Sequence, residues 1–489
     1  MTKKILFSFI IVNLGIIFGR FSGFFREISI ADIFGVSIYS DIAIILLTLP
    51  DIIINLLIGG ALSSSLIPYM ASNDEFKNRI AYQAGLLFFL VFIFISVIFS
   101  INSEIIIKLI APGFNRESVG LAIDYLPYVF YIIPLCVVTG VTTSYLNYNE
   151  KFMIPSLGTL FFNISLILSL YLCHFFIKEK SVLFVVIAIY SACIIRLLSQ
   201  LLVCNIKFRP ISSLTPWLIN KKIINKYCQA MLSGSFIFVI PVAARSFSSY
   251  YGDGSVSIFN YAMRLVEFPL VITVMGISIV LLPSLAKDFK HDLNKFIYCS
   301  NVSIDFVIGV SIFIATVIFF NFYFFVDLIY SRNISDNDLI KIGNLFSIGL
   351  LGLVPQSLVI IFMTIFNSSK KTYIPLIINA VGICFFITML MLFSDNNRDV
   401  IIMLIYTYSL MMILYLIAFK IEFKNTSYIK LLFKNLLLFI IIFILNYYSG
   451  LLFGENSVVI KFIINFFSSL IFLLLVNYLK IKEFIYARF

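Results

Sequence analysis

Apolar runs of about 20 residues follow one another from one end of this chain to the other, each long enough to cross about 30 Å of hydrocarbon as a helix. Runs such as Leu436 to Leu445 show no alternation of apolar and polar positions. They therefore do not read as strands of a closed barrel. The pattern predicts about 14 helical spans, near 5–31, 38–70, 81–101, 119–146, 154–176, 182–205, 228–251, 255–286, 296–325, 340–368, 372–394, 400–420, 431–450 and 456–479, with a polar segment at 206–227. The expected fold class is all-α: a polytopic integral membrane protein. Gly15, Gly19, Gly23 and Gly35 fall in the first run and at its exit, and Pro50 and Gly59-Gly60 in the second. Bent or broken helices are expected there, because membranes tolerate them where they line protein or a cavity. The opening Met1-Thr2-Lys3-Lys4 and the apolar stretch Ile5 to Phe18 imitate a signal peptide, but no small-x-small cleavage site precedes Arg20. An uncleaved first helix is expected.

The pattern also repeats. Leu146-Asn147, Lys151 and Ile154-Pro155 return as Phe366-Asn367, Lys371 and Ile374-Pro375, shifted by about 220 residues. Earlier in each half, Leu49-Pro50 followed by Ile67-Pro68 resembles Phe268-Pro269 followed by Leu282-Pro283. Six spans precede the shift and six belong to the second copy, with the last two outside the repeat, so both copies enter the membrane in the same orientation. Parallel repeats of this kind are a transporter architecture, with the site at the repeat interface. The expected organisation is an N-lobe over 1–227, a C-lobe over 228–424 and a C-terminal helix pair over 425–489.

Composition strengthens the membrane reading. The chain has 489 residues, 61% hydrophobic and 12% charged, with a mean hydropathy of +1.06. Soluble domains carry about 25% charged residues. Most lysines and arginines fall in loops on one side, among them Lys3, Lys4, Lys77, Arg79, Lys151, Lys207, Arg209, Lys221, Lys222, Lys226 and Arg488. The positive-inside rule then places both termini in the cytoplasm. The formal net charge of +11 follows from that topology and from contact with anionic lipid; no basic domain exists to hold a nucleic acid. Seven cysteines are scattered without a CxxC pair, and His174 and His291 stand far apart. Neither a disulfide framework, a metal site nor a cofactor is expected.

Against this background four arginines stand out inside apolar runs: Arg20, Arg26, Arg245 and Arg264. An arginine at the bilayer centre costs roughly 2.5–3.5 kcal/mol by insertion scales, so such residues normally face protein or a watery cavity. Arg26 reads either as half of a local pair with Glu27, or as a phosphate ligand, since guanidinium donors match phosphate oxygens and stay charged. Arg20 lies about 9 Å earlier along the helix and a third of a turn round it, so both face one spot only if the glycines break the helix. Arg264 and Glu267 share a helix face and either neutralise each other or open to admit an anion. Arg245, flanked by serines near a helix end, reads as a snorkelling side chain with anion binding as the weaker role, and Arg196 as a snorkeller toward the cytoplasm. Asp41 and Asp51 balance the arginines, bind a coupling cation or make structural hydrogen bonds. Clustered acids, a nucleophile with its base and a phosphate-cradling glycine loop are all missing from the pattern, so no catalytic residue is expected.

Several of these residues stand in motifs that resemble the MurJ (MviN) family of lipid II flippases, within the multidrug/oligosaccharidyl-lipid/polysaccharide exporter superfamily. They are Gly23-Phe24-Phe25-Arg26-Glu27, Phe34-Gly35, Asp41, Leu49-Pro50, Gly60-Ala61, Pro68, Ala111-Pro112-Gly113-Phe114 and Asn163-Ile164-Ser165 in the first half. Gly254-Ser255-Val256-Ser257, Arg264-Leu265, Glu267-Phe268-Pro269 and Leu281-Leu282-Pro283-Ser284-Leu285 follow in the second. The resemblance implies two six-helix lobes around a central cationic cavity, two terminal helices forming a groove for a polyprenyl tail, and alternating access. It implies Arg20, Arg26 and Arg264 as substrate-binding residues and Glu27, Asp41 and Glu267 as supporting charges. The implied partners are lipid II and membrane lipids, with cell-wall synthesis or division proteins as further candidates, at the bacterial inner membrane. The alternative within the superfamily is export of another lipid-linked oligosaccharide of O-antigen type. Four positions depart from the family: Glu27 conservatively replaces an aspartate often found there, Ile54 and Asn55 stand where many members carry paired arginines, and Gly59 where a glutamate is common. No acid lies between Tyr227 and Tyr251, so sodium coupling through that helix is not carried over.

Overall fold

A computed structural model describes residues 3–53, 61–176, 181–204, 216–423, 440–444, 446–447, 462–471 and 473. Every regular element among the described residues is helical. The first half holds α1 (Lys3–Phe34), α2 (Ile38–Ile53), α3 (Ala61–Ser72), α4 (Lys77–Ile101), α5 (Ser103–Ile110), α6 (Arg116–Phe130), α7 (Ile133–Tyr148), α8 (Met153–Phe176) and α9 (Leu183–Leu201). The second holds α10 (Lys221–Ser248), α11 (Ser255–Leu270), α12 (Gly276–His291), α13 (Leu293–Phe319), α14 (Phe322–Tyr330), α15 (Asp336–Leu350), α16 (Leu353–Ser368), α17 (Tyr373–Phe393) and α18 (Asn397–Phe423). Among the described residues, eight helical runs are long and apolar enough to cross a membrane, or nine when α15 and α16, bent by 50°, form one span. The last two expected spans fall largely outside the described residues.

The repeat is visible in the backbone itself. α6, α7 and α8 recur as α15, α16 and α17, each starting about 220 residues later. Glu150 and Lys370, the residues that end α7 and α16, both take a left-handed conformation, at φ 59° and 60°. In each turn the following lysine N–H closes a long backbone bond, Lys151 to Leu146 O at 2.9 Å and Lys371 to Phe366 O at 3.0 Å. This is the wrap that satisfies the last carbonyls of a helix. Lys151 Nζ then donates to Val203 O, just past α9, while Lys371 pairs with Glu422 in the last turn of α18. Each lysine thus ties its turn to the final helix of its own half.

The glycines of α1 do not break it. α1 runs unbroken from Lys3 to Phe34, and Gly15, Gly19 and Gly23, spaced one turn apart, face α8. A Cβ on Gly15 would stand 2.7 Å from Ser156 Oγ, and one on Gly19 3.1 Å from Thr159 Cβ. Between helices in lipid there is no hydrophobic drive, so close backbone approach through small residues supplies the packing. Of the four glycines in and just after α1, Gly35 is the one that uses glycine's freedom: at φ 63° it ends α1 and turns the chain into α2. Ser37 and Ser40 then cap α2 reciprocally, N–H to Oγ, at 2.9 and 3.3 Å. Within the expected span 38–70 the described residues form α2 and α3, and residues 54–60, with Gly59 and Gly60 among them, lie outside the described residues. The short α5 falls between the expected spans 81–101 and 119–146, and α14 begins within the expected span 296–325 and runs past its end.

By compactness the chain divides into two units, Met1–Asn260 and Tyr261–Phe489. In the first, α1 packs on α8, α8 on α9, α4 on α7, and α2 on α6 and α9. In the second, α16 sits among α12, α13 and α18, and an aromatic stack holds it: Phe362 lies parallel to Tyr415 at 6.0 Å, and Phe366 meets Tyr415 and Phe423.

Candidate functional site: a buried charge cluster

Arg26 is the centre of the first unit's polar interior. It projects from α1 in the turn after Gly23 and is 4% exposed. Its Nη1 and Nη2 hold the two oxygens of Asp51, at 3.0 and 2.8 Å. Nη2 also reaches Glu27 Oε1 at 2.8 Å, and Nη1 points at Asn163 Oδ1 at 3.5 Å. Asp51 comes from the last turn of α2, beside Pro50, and its side chain is 29% exposed. Asn163 on α8 clasps α1, its amide donating to Gly19 O and Ser22 Oγ, both at 3.1 Å. Glu27 Oε2 accepts from Asn260 Nδ2 at 2.9 Å. One guanidinium is thus bracketed by two carboxylates, the fork-to-fork geometry that also suits a phosphate. Such pairing is what makes an arginine bearable so deep in apolar surroundings.

The other expected residues sit elsewhere. Arg20 is exposed on α1, and because the helix is unbroken it stays a third of a turn away from Arg26. Asp41, in the first turn of α2 and 3% exposed, lies about 15 Å of helix from Asp51. Its oxygens accept from the N–H groups of Gly254 and Ser257, both at 2.7 Å. It therefore caps the N-terminus of α11, where a carboxylate satisfies orphan donors and meets the positive end of the helix dipole. Arg245 on α10 does not run outward: it is half-buried, and its Nη1 lies 3.4 Å from Thr48 Oγ1 on α2. In the second unit, Arg264 Nη1 pairs with Glu267 Oε2 at 3.1 Å, one turn on, with side chains 23% and 31% exposed.

Three participants had no assigned role in the sequence pattern. Asn163 and Asn260 are polar residues in apolar helices, the signal that could have marked them. Gly113 permits a close approach: a Cβ there would stand 2.2 Å from Tyr250 Cα, and its N–H donates to Ser249 Oγ at 2.9 Å. Beside it Asn115 Nδ2 holds the Asp253 carboxylate at 3.1 and 3.2 Å. Among the described residues, no three His, Cys, Asp or Glu side chains converge as metal ligands. Ile54, Asn55 and Gly59 lie outside the described residues.

A repeated helical architecture of apolar spans, with a buried ion pair inside it, is that of a multi-pass membrane protein. The family model "Lipid II flippase MurJ" matches residues 30–473, and the chain belongs to that family. It is 30% identical over 298 residues to a "Probable lipid II flippase MurJ" of Buchnera aphidicola subsp. Acyrthosiphon pisum, covering 58% of this chain and 57% of that relative. A second, from Buchnera aphidicola subsp. Schizaphis graminum, is 27% identical over 410 residues, covering 79% of this chain and 77% of its own. The chain thus spans little more than half of the first relative and about three quarters of the second. A solved structure of "Lipid II flippase MurJ, inward closed conformation" superposes with a TM-score of 0.83 at 20% identity, covering 96% of this chain and 99% of that one. At that identity the likeness is one of fold.

Proposed function

We propose that this protein is a lipid II flippase of the bacterial inner membrane, moving undecaprenyl-pyrophosphate-linked peptidoglycan precursor from the inner to the outer leaflet by alternating access. Family membership over residues 30–473 carries the reading and favours this cargo over an O-antigen-type oligosaccharide. The bracketed guanidinium of Arg26 supplies fitting chemistry. Unaided passage of a pyrophosphate and its sugars through hydrocarbon carries a prohibitive desolvation cost. A buried, permanently charged guanidinium whose present partners are carboxylates offers a phosphate the same donors. We assign substrate binding to Arg26, Arg264 and Arg20, and supporting charge to Glu27, Asp41 and Glu267, with Arg245 and Asp51 as further contributors. No catalytic step is assigned. The lobes are taken as 1–227 and 228–424, which the matching helix order α1–α9 and α10–α18 supports, with 425–489 as a helix pair and both termini cytoplasmic. Lipid II and membrane lipids are the partners, and proteins of cell-wall synthesis or division are further candidates.

The experiment is outward exposure of lipid II in a flippase-depleted strain supplied with this chain. Wild-type protein should restore exposure, and Arg26→Ala or Arg264→Ala should not, at normal protein level in the membrane. Full restoration with both arginines removed would sink the assignment.

A further inference from the structure

One buried guanidinium has no place in the cluster around Arg26. Arg196 projects from α9 and is 7% exposed; it does not snorkel to the cytoplasmic side. Its Nε and Nη1 are enclosed without a hydrogen-bond partner, a costly state for a cation removed from water. The pocket is nonetheless shaped for it. Gly158 on α8 leaves the room it needs, since a Cβ there would stand 3.2 Å from Nε and 3.6 Å from Nη2. α9 packs against α2, the helix that carries Asp51. Asp51 is also the member of the Arg26 pair with room to move, 29% exposed against 5% for the Arg26 side chain.

These facts pose a problem of charge. A phosphate arriving at Arg26 needs the donors that Asp51 now holds, and a third anion crowded beside Glu27 and Asp51 on one guanidinium would meet strong repulsion in surroundings of low dielectric. Asp51 must leave, and a carboxylate leaving Arg26 needs another cation. We propose that Arg196 is that cation: a positioning residue that receives Asp51 when a phosphate group of the substrate takes Arg26. The site then exchanges one anion for another without stranding a charge, and the buried polar N–H groups of Arg196 gain their partner in the loaded state. This rests on the flippase reading above, because it takes the arriving anion to be the pyrophosphate of a lipid-linked precursor.

The test is a double-mutant cycle on the full chain in nanodiscs, with purified lipid II as the probe and binding read by native mass spectrometry. Arg196→Gln should weaken binding about ten-fold, a typical coupling for charges in contact, and Arg196→Lys should restore most of it because the relay needs charge. In an Asp51→Asn background Arg196→Gln should have no further effect, since no carboxylate then needs a new home. Gly158→Ala, which crowds the guanidinium without removing it, should give a smaller loss that also vanishes with Asp51→Asn. Equal losses in both backgrounds, or failure of lysine to rescue, would overturn the relay. An Arg26→Ala variant that still binds lipid II normally would instead overturn the flippase reading, so the two failures are separable.

Discussion

The Asp41 carboxylate closes on the N-terminus of α11, its two oxygens accepting from the backbone N–H groups of Gly254 and Ser257 at 2.7 Å each. The contact joins residues 213 positions apart and satisfies two donors that the helix itself cannot.

Removing that cap should loosen the protein without touching Arg26. Asp41→Ala should cost about 1–2 kcal/mol, the size of a lost helix cap. Asp41→Asn keeps one acceptor and loses the charge–dipole attraction, so its loss should be smaller. The unfolding temperature in detergent checks the order, and amide exchange at Gly254 and Ser257 should rise in both variants. An Asp41→Ala protein as stable as the parent would exclude the capping role.

Arg26 carries stability as well as the proposed chemistry, and the two can be separated. Arg26→Ala leaves Glu27 and Asp51 uncompensated, which should destabilise the fold by roughly 3–5 kcal/mol. A triple variant, Arg26→Met with Glu27→Gln and Asp51→Asn, removes the charges together and should recover most of the lost unfolding temperature. Lipid II exposure should remain absent in both. Recovery of exposure by the triple variant would mean that the cluster holds the helices together and does nothing for transport.

Gly113 should tolerate no side chain. Its missing Cβ would overlap the backbone of Tyr250 at 2.2 Å, and backbone cannot rotate aside as a flexible side chain does. Gly113→Ala should therefore cost at least the 1–3 kcal/mol typical of an overpacked site, at about the upper end. It should also break the hydrogen bond to Ser249 Oγ, read as faster exchange of the Gly113 amide. Ser249→Ala, which removes only the acceptor, should cost about 1 kcal/mol.

What the sequence revealed follows from which groups carry a visible signature. Charges in apolar runs are conspicuous, so Arg26, Asp41, Asp51 and Arg264 were found as residues. Their partners were harder. Those of Asp41 are backbone amides, which look alike at every position. The pairing of Arg26 with Asp51 depends on the turn at Gly35 that folds α2 back beside α1. Arg196 looked like a snorkeller because it lies near the end of α9; its burial comes from the helices packed around it, which no local pattern displays. The repeat was legible because the wrapped turns after α7 and α16 use the same residues, Asn147 and Lys151, then Asn367 and Lys371.

The glycines of α1 were visible and misjudged: Gly15, Gly19 and Gly23 suggested breaks, yet they form the face that meets α8. A graded series tests that face. At Gly15 a new methyl would meet both the Ser156 side chain, at 2.7 Å, and its backbone carbon, at 2.9 Å. At Gly19 the nearest atom is Thr159 Cβ at 3.1 Å, and at Gly23 it is Asn163 Nδ2 at 3.5 Å, an ordinary contact. Alanine should therefore be most damaging at Gly15, milder at Gly19 and harmless or slightly stabilising at Gly23, where it relieves about 0.5–1 kcal/mol of glycine's helix penalty. If the glycines served instead as hinges, alanine would stiffen α1 at all three positions and the order would bear no relation to these distances. Unfolding temperatures of the three single variants decide between a packing face and a hinge.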